Sequence, residues 1–402
     1  MDSMPQALEG LRVLELGQLL AGPFAGFLLG GFGAEVIKVE APGVGDPIRK
    51  WRKLDEDGTS LWWRSLARGK RSITCDLRQE AGRALIRKVI ADGVDIVIEN
   101  FRPGRMEAWG LGYEDLRAID PRIIMVRVSG YGQTGPYRQR PGFANVAEAF
   151  GGLRYVSGYP DRPPVRTGAS LGDSLAGLHA AYATLAAVHE RDAKGSGLGQ
   201  EIDVALYESV LSVMESLIPE YDRLGHVRER TGSSLPGIVP SNTYRCRDDR
   251  HVVIGANSDG LYQKLMRAIG RPDLADDPRM THNDGRARHA KELDGAIEAW
   301  TTRHDQPHVL QALVDADIPS GPINSAADLF DDPHVQARGM LEPITLPDGS
   351  TLKVPKIVPM LSRTPAQSHF AGPDLGAHNE EVYGRLGLQA EDLERLRADG
   401  VI

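Results

Sequence analysis

The sequence has few cysteines and a low aromatic content. Its 402 residues include only two cysteines, Cys75 and Cys246, and 6% of them are aromatic. Neither cysteine lies in a CxxC or Cys/His ligand spacing, so the sequence supports neither a disulfide framework nor a zinc site. This use of cysteine is typical of a protein in a reducing compartment.

Long apolar segments are also missing. No stretch approaches the roughly 18 uninterrupted apolar residues that a membrane-spanning helix needs. The first residues, Met1 to Gly10, lack the basic region followed by an apolar run that marks a secretory signal. We therefore expect a cytoplasmic protein that does not cross a membrane.

Basic residues are fewer than acidic residues in the sequence. The chain has 47 Lys and Arg against 55 Asp and Glu, which gives a formal net charge of -8. Nucleic-acid binding depends on clustered Lys and Arg that neutralise phosphates, so we expect no nucleic-acid partner. A small anionic ligand in a local basic pocket stays compatible with this charge. The composition, 41% hydrophobic and 25% charged, is that of a folded globular protein.

The length of the chain favours two domains, because single cores stop growing near about 250 to 300 residues. A Gly/Ser/Pro-rich stretch from Thr231 to Pro240 interrupts the pattern of regular elements. We predict a large domain over residues 1–225, a smaller α+β domain over 226–335 and a C-terminal segment over 336–402.

Four apolar, β-branched runs predict strands: Leu11–Leu16, Ala34–Val39, Val94–Glu99 and Ile123–Ser129. They are separated by segments of helical periodicity, such as Glu80–Ile90. Strands that alternate with helices predict a parallel sheet with helical crossovers, so the first part of the chain is expected to be α/β.

A long helix is predicted to begin at Asp173, within the segment Gly168 to Ser174. An aspartate at a helix start caps the orphan backbone N–H groups, and local physics alone favours this interpretation. The same position stabilises an ionised carboxylate through the helix dipole, and such a carboxylate can attack a thioester carbonyl. The spacing leaves both roles open.

Basic residues flank two of the predicted strands. Arg68, Lys70 and Arg71 precede a strand-like segment, and Asn100 to Arg105 follows the third strand. Ligands of open α/β sheets bind beyond the carboxyl ends of the strands, which makes an anionic nucleotide pocket one interpretation. A solvated rim is the alternative. The glycine-rich segment Gly130 to Pro136 indicates either close approach of backbone to a ligand or a plain turn.

Taken in order, these segments resemble the family III CoA-transferases over nearly the whole chain. The resemblance is carried by Leu20-Ala21-Gly22-Pro23, Gly33 to Glu40, Lys70 to Ile73, Glu99 to Gly104, Gly130 to Pro136 and Gly172-Asp173. Each segment alone is weak, whereas the ordered set is specific. The resemblance implies a Rossmann-like large domain plus a smaller α+β domain in an interlocked, ring-like homodimer. It also implies that the C-terminal segment returns to the large domain.

The resemblance further implies a mechanism. Asp173 would attack an acyl-CoA to form a mixed anhydride, which the released CoA thiolate converts to an aspartyl-CoA thioester. The acceptor carboxylate would then take the coenzyme A. The coenzyme A thioester is thus a substrate, and neither a metal nor a permanently bound cofactor is implied.

Two groups of site residues follow from the same resemblance. Those expected along coenzyme A are Gln18, Leu19, Ala21, Lys70, Asn100, Phe101 and Arg102. Those expected around the acyl group and acceptor are Leu20, Arg49, Gly132, Gln133, Phe143 and Arg166. Formyl-CoA transferase has a glutamine in place of Leu20 and a tyrosine in place of Phe143. A pocket that lacks both polar groups is larger and drier, which disfavours formate and oxalate.

Residues 152–166 and 232–240 look most like the branch that transfers coenzyme A from succinyl-CoA to dicarboxylic acids. Acceptors in that branch are malate, citramalate, mesaconate, itaconate, glutarate and benzylsuccinate. A second carboxylate needs a cationic or amide partner, and Arg166, Arg154 or Arg49 is a candidate guanidinium. Each of these is equally compatible with a surface arginine.

Three alternatives remain at this stage. One is transfer to another acid of the carnitine or benzylsuccinate type. The second is an α-methylacyl-CoA racemase, whose acid-base chemistry needs a histidine after the glycine that aligns with Gly142, where this chain has Phe143. The third is a noncatalytic CoA-binding protein in which Asp173 only caps its helix.

Overall fold

The computed structural model describes residues 5–402, and within them the chain forms two compact units. The first unit comprises the chain up to Leu153 together with Thr167–Leu224 and Gly339–Ile402. The second comprises Arg154–Arg166 and Gly225–Arg338. The chain therefore enters the second unit twice, the first time through a short segment that directly precedes the region of Asp173.

The first unit contains a parallel sheet, as the apolar runs predicted. Its strands are β1 (Arg12–Glu15), β2 (Glu35–Glu40), β3 (Lys70–Thr74), β4 (Ile96–Glu99), β5 (Ile124–Ser129) and β6 (Glu201–Ala205). Their order is β3-β2-β1-β4-β5-β6, and every neighbouring pair is parallel. The α/β prediction is confirmed. The strand order reverses between β1 and β4, and ligands of such sheets bind at this switch point.

The helices of this part of the chain connect the strands. They are α1 (Ala21–Gly31), α2 (Leu61–Leu66), α3 (Glu80–Ala91), α4 (Arg105–Ala108), α5 (Tyr113–Ile119), α6 (Ala144–Phe150), α7 (Leu171–Val188), α8 (Leu206–Leu211) and α9 (Leu217–Leu224). A 3₁₀ turn covers Pro47–Lys50, and α7 continues into a π-helical turn at His189–Ala193. Residues 212–216 separate α8 from α9.

The second unit has its own sheet and core. Strands β7 (Ser241–Arg245), β8 (His251–Gly255) and β9 (Ser320–Pro322) form an antiparallel sheet. Its helices are α10 (Asp259–Ala268), α11 (Pro272–Ala275), α12 (Asn283–Arg288), α13 (Ala290–Thr301), α14 (Gln306–Asp315), α15 (Ala326–Asp331) and α16 (Pro333–Ala337). Strand β7 was not predicted, because Tyr244 is its one buried side chain and the sequence shows no alternation there.

The C-terminal segment belongs to the first unit. It contains the hairpin β10 (Leu341–Thr345) and β11 (Thr351–Pro355), then α17 (Asn379–Arg385) and α18 (Ala390–Ala398). The Tyr383 hydroxyl donates to the carbonyl of Thr74 at 2.7 Å, which fixes α17 to the end of β3. No helix within residues 5–402 combines the length and the apolar character needed to cross a membrane.

Both faces of the parallel sheet are covered. Val13 and Val36 belong to an apolar cluster with residues of α1 and α7, whereas their neighbours Leu14 and Ile37 pack with α3, α5 and α17. Because successive side chains of a strand point to opposite faces, a sheet buried on both faces needs continuous apolar runs. This is why the strands could be recognised in the sequence.

Small residues bring α7 close to α1. A Cβ atom on Gly177 would lie 2.8 Å from the carbonyl oxygen of Ala21, so only glycine permits this approach. The C-terminal end of α7 leads by a short connection into β6, and its first turn therefore lies toward the carboxyl edge of the sheet. Asp173 is in that first turn.

Candidate active site

Asn100, which follows β4, is hydrogen-bonded to the loop that follows β1. The Asn100 side chain accepts from the backbone N–H of Gln18 and donates to the Gln18 carbonyl, both at 2.7 Å. Gly17 makes this possible, because a Cβ there would lie 3.1 Å from Asn100 Oδ1. The two loops at the switch point are thus held together by a paired amide contact.

Leu19, the next residue, is held in an unusual conformation. Its φ is 64°, in the left-handed region that residues with a Cβ seldom adopt. Its backbone N–H donates to both carboxylate oxygens of Asp46 at 3.1 Å. Strained residues of this kind persist only where surrounding contacts fix them, and they concentrate at functional sites. The loop of Gln18 and Leu19 is therefore a rigid, prearranged surface.

A network of buried charges lies beneath this loop. Lys38 contacts Asp46 at 2.9 Å and Glu15 at 3.4 Å, and Glu15 contacts Lys70 at 2.7 Å. Lys38 also donates to the carbonyl of Gly17. Burial alone would lower the pKa of Lys38, but Asp46, Glu15 and Glu40 together raise it above its ordinary value. Lys38 therefore keeps the positive charge that pairs with Asp46.

Lys70 and Arg49 are held by contacts within the protein. The Lys70 ammonium group is buried and donates to Glu15 and to the Pro23 carbonyl, both at 2.7 Å. The Arg49 guanidinium is also buried and donates to both oxygens of Glu40 at 2.7 and 2.8 Å. Both side chains therefore support the loop from beneath, and their contacts with coenzyme A and acceptor stay predictions.

A cavity of about 390 Å³ opens at the carboxyl ends of β1 to β4, and we call it the sheet-edge cavity. It is lined by Leu16, Gln18, Val39, Glu40, Ala41, Cys75, Asp76, Leu77, Arg78, Phe101, Arg105 and Trp109. The rings of Phe101 and Trp109 meet edge to face at 5.2 Å, and the Arg105 guanidinium lies 5.5 Å from the Trp109 ring. Burial raises the pKa of Cys75 to about 12, so its thiol is protonated at neutral pH.

A second cavity, of about 510 Å³, lies beside the first turn of α7, and we call it the apolar cavity. Its apolar wall consists of Leu20, Phe24, Phe27, Leu28, Trp62, Leu66, Ile357 and Val358. Arg52, Arg68 and Lys356 add cationic groups, and Ser170 and Ser174 of the α7 terminus also line it. Leu20 thus lies on an acyl-sized apolar surface, whereas the neighbouring Ala21 is buried in the core.

Asp173 is the third residue of α7, which begins at Leu171 after the cap residue Ser170. The helix starts two residues earlier than predicted, so Asp173 is a first-turn acid and not the N-cap. It is half-buried. Ser170 and Ser174 are one turn apart and Asp173 lies between them along the helix, so the apolar cavity adjoins the turn that carries Asp173. The helix dipole there favours the ionised carboxylate.

Buried Glu148 of α6 supports the same turn. Its carboxylate accepts from the backbone N–H of Gly172 at 3.2 Å, which satisfies one of the free donors of the helix terminus. Gly172 packs against α6, since a Cβ there would lie 3.2 Å from the Ala144 carbonyl.

The remaining predicted site residues are more dispersed. Gly132 has a φ of 87°, and its N–H donates to Ser129 Oγ at 3.0 Å. The Gln133 N–H donates to Asp203 at 2.8 Å, while its buried side-chain nitrogen has no hydrogen-bond partner within residues 5–402. Phe143 is 68% exposed. Arg102 is exposed in the turn after β4.

Arg166 and Arg154 belong to the second unit. Sequence reasoning did not identify Asp46, Lys38 or Arg52. Charged residues inside apolar strand runs, such as Glu15 and Lys38, were the available sign of a buried network.

The strand order β3-β2-β1-β4-β5-β6, with a cavity at the switch point, defines a doubly wound α/β protein of the nucleotide-binding type. The profile of CoA-transferase family III matches residues 8–379. The chain belongs to this family and is a CoA-transferase, which confirms the resemblance noted in the sequence.

Known relatives cover almost the whole chain. Succinyl-CoA–D-citramalate CoA-transferase of Chloroflexus aurantiacus is 49% identical, and the match covers 99% of this chain and 98% of that protein. Succinate–glutarate CoA-transferase of Agrobacterium fabrum is 34% identical, with 98% and 99% covered. The crystal structure of a CAIB/BAIF family protein from Brucella suis matches with a TM-score of 0.82 and 35% identity, over 95% of this chain and 99% of that one.

Proposed function

We propose that this protein transfers coenzyme A from succinyl-CoA to a dicarboxylic acid, with Asp173 as the nucleophile. The observation that carries the proposal is the position of Asp173, half-buried in the first turn of α7 beside an apolar, cationic cavity. The relatives support the substrate class, since two of them are named for succinate or succinyl-CoA with citramalate or glutarate.

The reaction passes through three enzyme-bound intermediates in turn: a mixed anhydride, an aspartyl-CoA thioester and a second mixed anhydride. A carboxylate oxygen of Asp173 attacks the thioester carbonyl of succinyl-CoA, and the C–S bond breaks to release the CoA thiolate. The thiolate attacks the aspartyl carbonyl of the mixed anhydride and expels succinate. The acceptor carboxylate then attacks the aspartyl-CoA thioester, which forms a second mixed anhydride and releases the CoA thiolate. The thiolate attacks the acceptor's acyl carbonyl in this anhydride, forms the new acyl-CoA and expels the Asp173 carboxylate. Asp173 is regenerated as a carboxylate, and no proton is gained or lost.

Coenzyme A is proposed to lie along the loop of Gln18 and Leu19, with its nucleotide in the sheet-edge cavity. Phe101 offers a stacking face and Arg105 offers a cation for its phosphates, whereas Arg78 is paired with Asp76 at 2.8 Å. In this arrangement Asn100 acts indirectly, because its two hydrogen bonds fix the backbone of Gln18. Because the loop is fixed before substrate binds, little conformational entropy is lost when the thioester is placed against Asp173.

Gly132, Gln133 and Phe143 are proposed to border the acceptor. The buried side-chain nitrogen of Gln133 has no hydrogen-bond partner in the described part of the chain, which makes it available to a carboxylate oxygen. Arg102, exposed beside the sheet-edge cavity residues Phe101 and Arg105, is proposed to attract the phosphates from a greater distance.

The function is tested by mixing the purified protein and succinyl-CoA with separate C4 to C6 acids and reading product masses directly. The panel contains malate, citramalate, mesaconate, itaconate and glutarate, with carnitine and butyrate as monocarboxylate controls. We expect a new acyl-CoA with at least one dicarboxylic acid and release of an equal amount of succinate. Transfer to monocarboxylates alone, or hydrolysis alone, would contradict the proposal.

The active protein is proposed to be a homodimer, and the interlocked form is what the family resemblance implies. Large apolar side chains are exposed on α7 and α9: Leu178 at 48%, Tyr182 at 62%, Ile218 at 54%, Tyr221 at 60% and Leu224 at 76%. An apolar surface of this extent is typical of an interface, and a second copy of the chain would cover it.

Light scattering after gel filtration is expected to give twice the mass of the chain. A Leu178→Asp, Tyr182→Asp double variant buries two charges in the proposed interface, so we expect it to elute as single chains or to precipitate. Tyr182→Phe keeps the apolar ring and is expected to remain dimeric. A wild-type mass of one chain, or an unaltered dimer in the double variant, would argue against this interface.

The location is proposed to be the cytoplasm. Cys75 and Cys246 are both buried free thiols, as expected of a protein kept in a reducing environment.

A further inference from the structure

The apolar cavity has an excess of positive charge. Its charged lining residues are Arg52, Arg68 and Lys356, and residues 5–402 contribute no aspartate or glutamate to the lining. Arg68 is buried and its charge is compensated, because the guanidinium contacts Glu342 at 2.8 Å and also donates to the Pro355 carbonyl at 3.0 Å. The uncompensated arginine of the cavity is therefore Arg52.

Arg52 is an exposed residue with a strained backbone, and its side chain stacks on an aromatic ring. Its φ is 62°, in the left-handed region, although arginine has no conformational preference for it. Its guanidinium lies 4.6 Å from the ring centroid of Trp62, another residue of the cavity wall. No carboxylate within residues 5–402 pairs with it. A guanidinium stacked on an aromatic ring keeps its N–H edge available, which suits it to a carboxylate that arrives with a ligand.

We infer that Arg52 binds the distal carboxylate of the dicarboxylic acyl group and thereby selects dicarboxylic over monocarboxylic substrates. This inference rests on the proposed function. Ser170 and Ser174 bring the cavity to the turn that carries Asp173, so an acyl group can place its thioester carbonyl there and its far end toward Arg52. The apolar wall, which includes Leu20, suits the carbons between the two ends.

The other candidate arginines are less suited to this role. Arg49 is buried and already paired with Glu40 at 2.7 Å, so its use would require breaking that contact. Arg68 is likewise paired with Glu342. The guanidinium groups of Arg49 and Arg68 are already bound to these carboxylates. Arg52 has no carboxylate partner within residues 5–402, so its N–H groups are available to an incoming carboxylate.

The test measures how fast labelled succinate exchanges into succinyl-CoA, which isolates the donor half of the reaction from the unidentified acceptor. The same exchange is measured with labelled butyrate and butyryl-CoA, in which a methyl group replaces the distal carboxylate. The variants are Arg52→Met and Arg52→Lys, with Arg363→Met as a control at an exposed arginine outside both cavities.

In Arg52→Met we expect kcat/KM for succinate exchange to fall about 10- to 100-fold, the usual effect of losing a charged hydrogen bond. Butyrate exchange is expected to stay constant or to rise, because the methionine still fills the apolar wall. Arg52→Lys is expected to recover part of the loss, and Arg363→Met is expected to match the wild type.

Two results would count against the proposals in different ways. Equal losses for succinate and butyrate in Arg52→Met, or an unchanged kcat/KM for succinate, would show that Arg52 does not recognise the distal carboxylate. A wild-type protein that exchanges butyrate but not succinate would instead refute the proposed substrate class, whatever Arg52 does.

Discussion

Replacing Asp173 by asparagine or alanine is expected to abolish CoA transfer in a protein that remains folded. Neither replacement can form the acyl anhydride or the aspartyl thioester, because each lacks the attacking carboxylate. Removing a covalent nucleophile lowers turnover by many orders of magnitude, and we expect a loss of at least about 10⁴-fold. Losing a carboxylate from a helix terminus costs about 2 kcal/mol of folding stability or less, so urea unfolding is expected to change little.

Hydroxylamine provides a direct measurement of the intermediate. Wild-type protein incubated with succinyl-CoA alone is expected to yield a hydroxamate on the peptide that contains Asp173, and peptide masses should show none in the variants. Glu80→Gln is a matched control, because Glu80 is also an acid in the first turn of a helix but is exposed on α3. Full transfer by purified Asp173→Ala would show that Asp173 is not the nucleophile and serves only as a first-turn acid of α7.

The sequence predicted the parallel sheet well because a sheet buried on both faces demands uninterrupted apolar strands. Leu14 and Ile37 serve one side and Val13 and Val36 the other, so every position of these runs carries information. Strand β7 buries only Tyr244, and its sequence could not be distinguished from a loop. The short entry of Arg154–Arg166 into the second unit also leaves no local pattern, since it depends on contacts with residues distant in the chain.

The site was predicted at the level of the loops and less well at the level of individual side chains. Gln18 and Phe101 do line the sheet-edge cavity. The family resemblance implied a coenzyme A contact for Lys70, and the need of a second carboxylate for a cationic partner suggested Arg49. Whether such a cation is free depends on its partners, here Glu15 and Glu40, and no local pattern in the sequence pairs residues so far apart.

The buried network also makes Asp46 a positioning residue whose loss should affect both stability and binding. Its carboxylate accepts from the N–H of Leu19 and from the N–H of Ile48 at 3.0 Å, and it contacts Lys38 at 2.9 Å. Asp46→Ala leaves Lys38 buried with a reduced set of partners and frees Leu19 from its strained conformation. Removing one member of a buried ion pair costs about 3 to 5 kcal/mol of folding stability.

We expect Asp46→Ala to unfold at clearly lower urea concentration and to raise the KM for succinyl-CoA more than it lowers kcat. The reason is that Leu19 belongs to the surface proposed to receive coenzyme A, whereas Asp173 on α7 is untouched. Asp46→Asn keeps an oxygen that accepts from Leu19, so it should restore much of the KM while remaining destabilised. Glu56→Ala, at an exposed acid of the same loop, serves as the control. If Asp46→Ala lost stability with an unchanged KM, or if both variants shifted KM equally, the network would support the fold without positioning the loop.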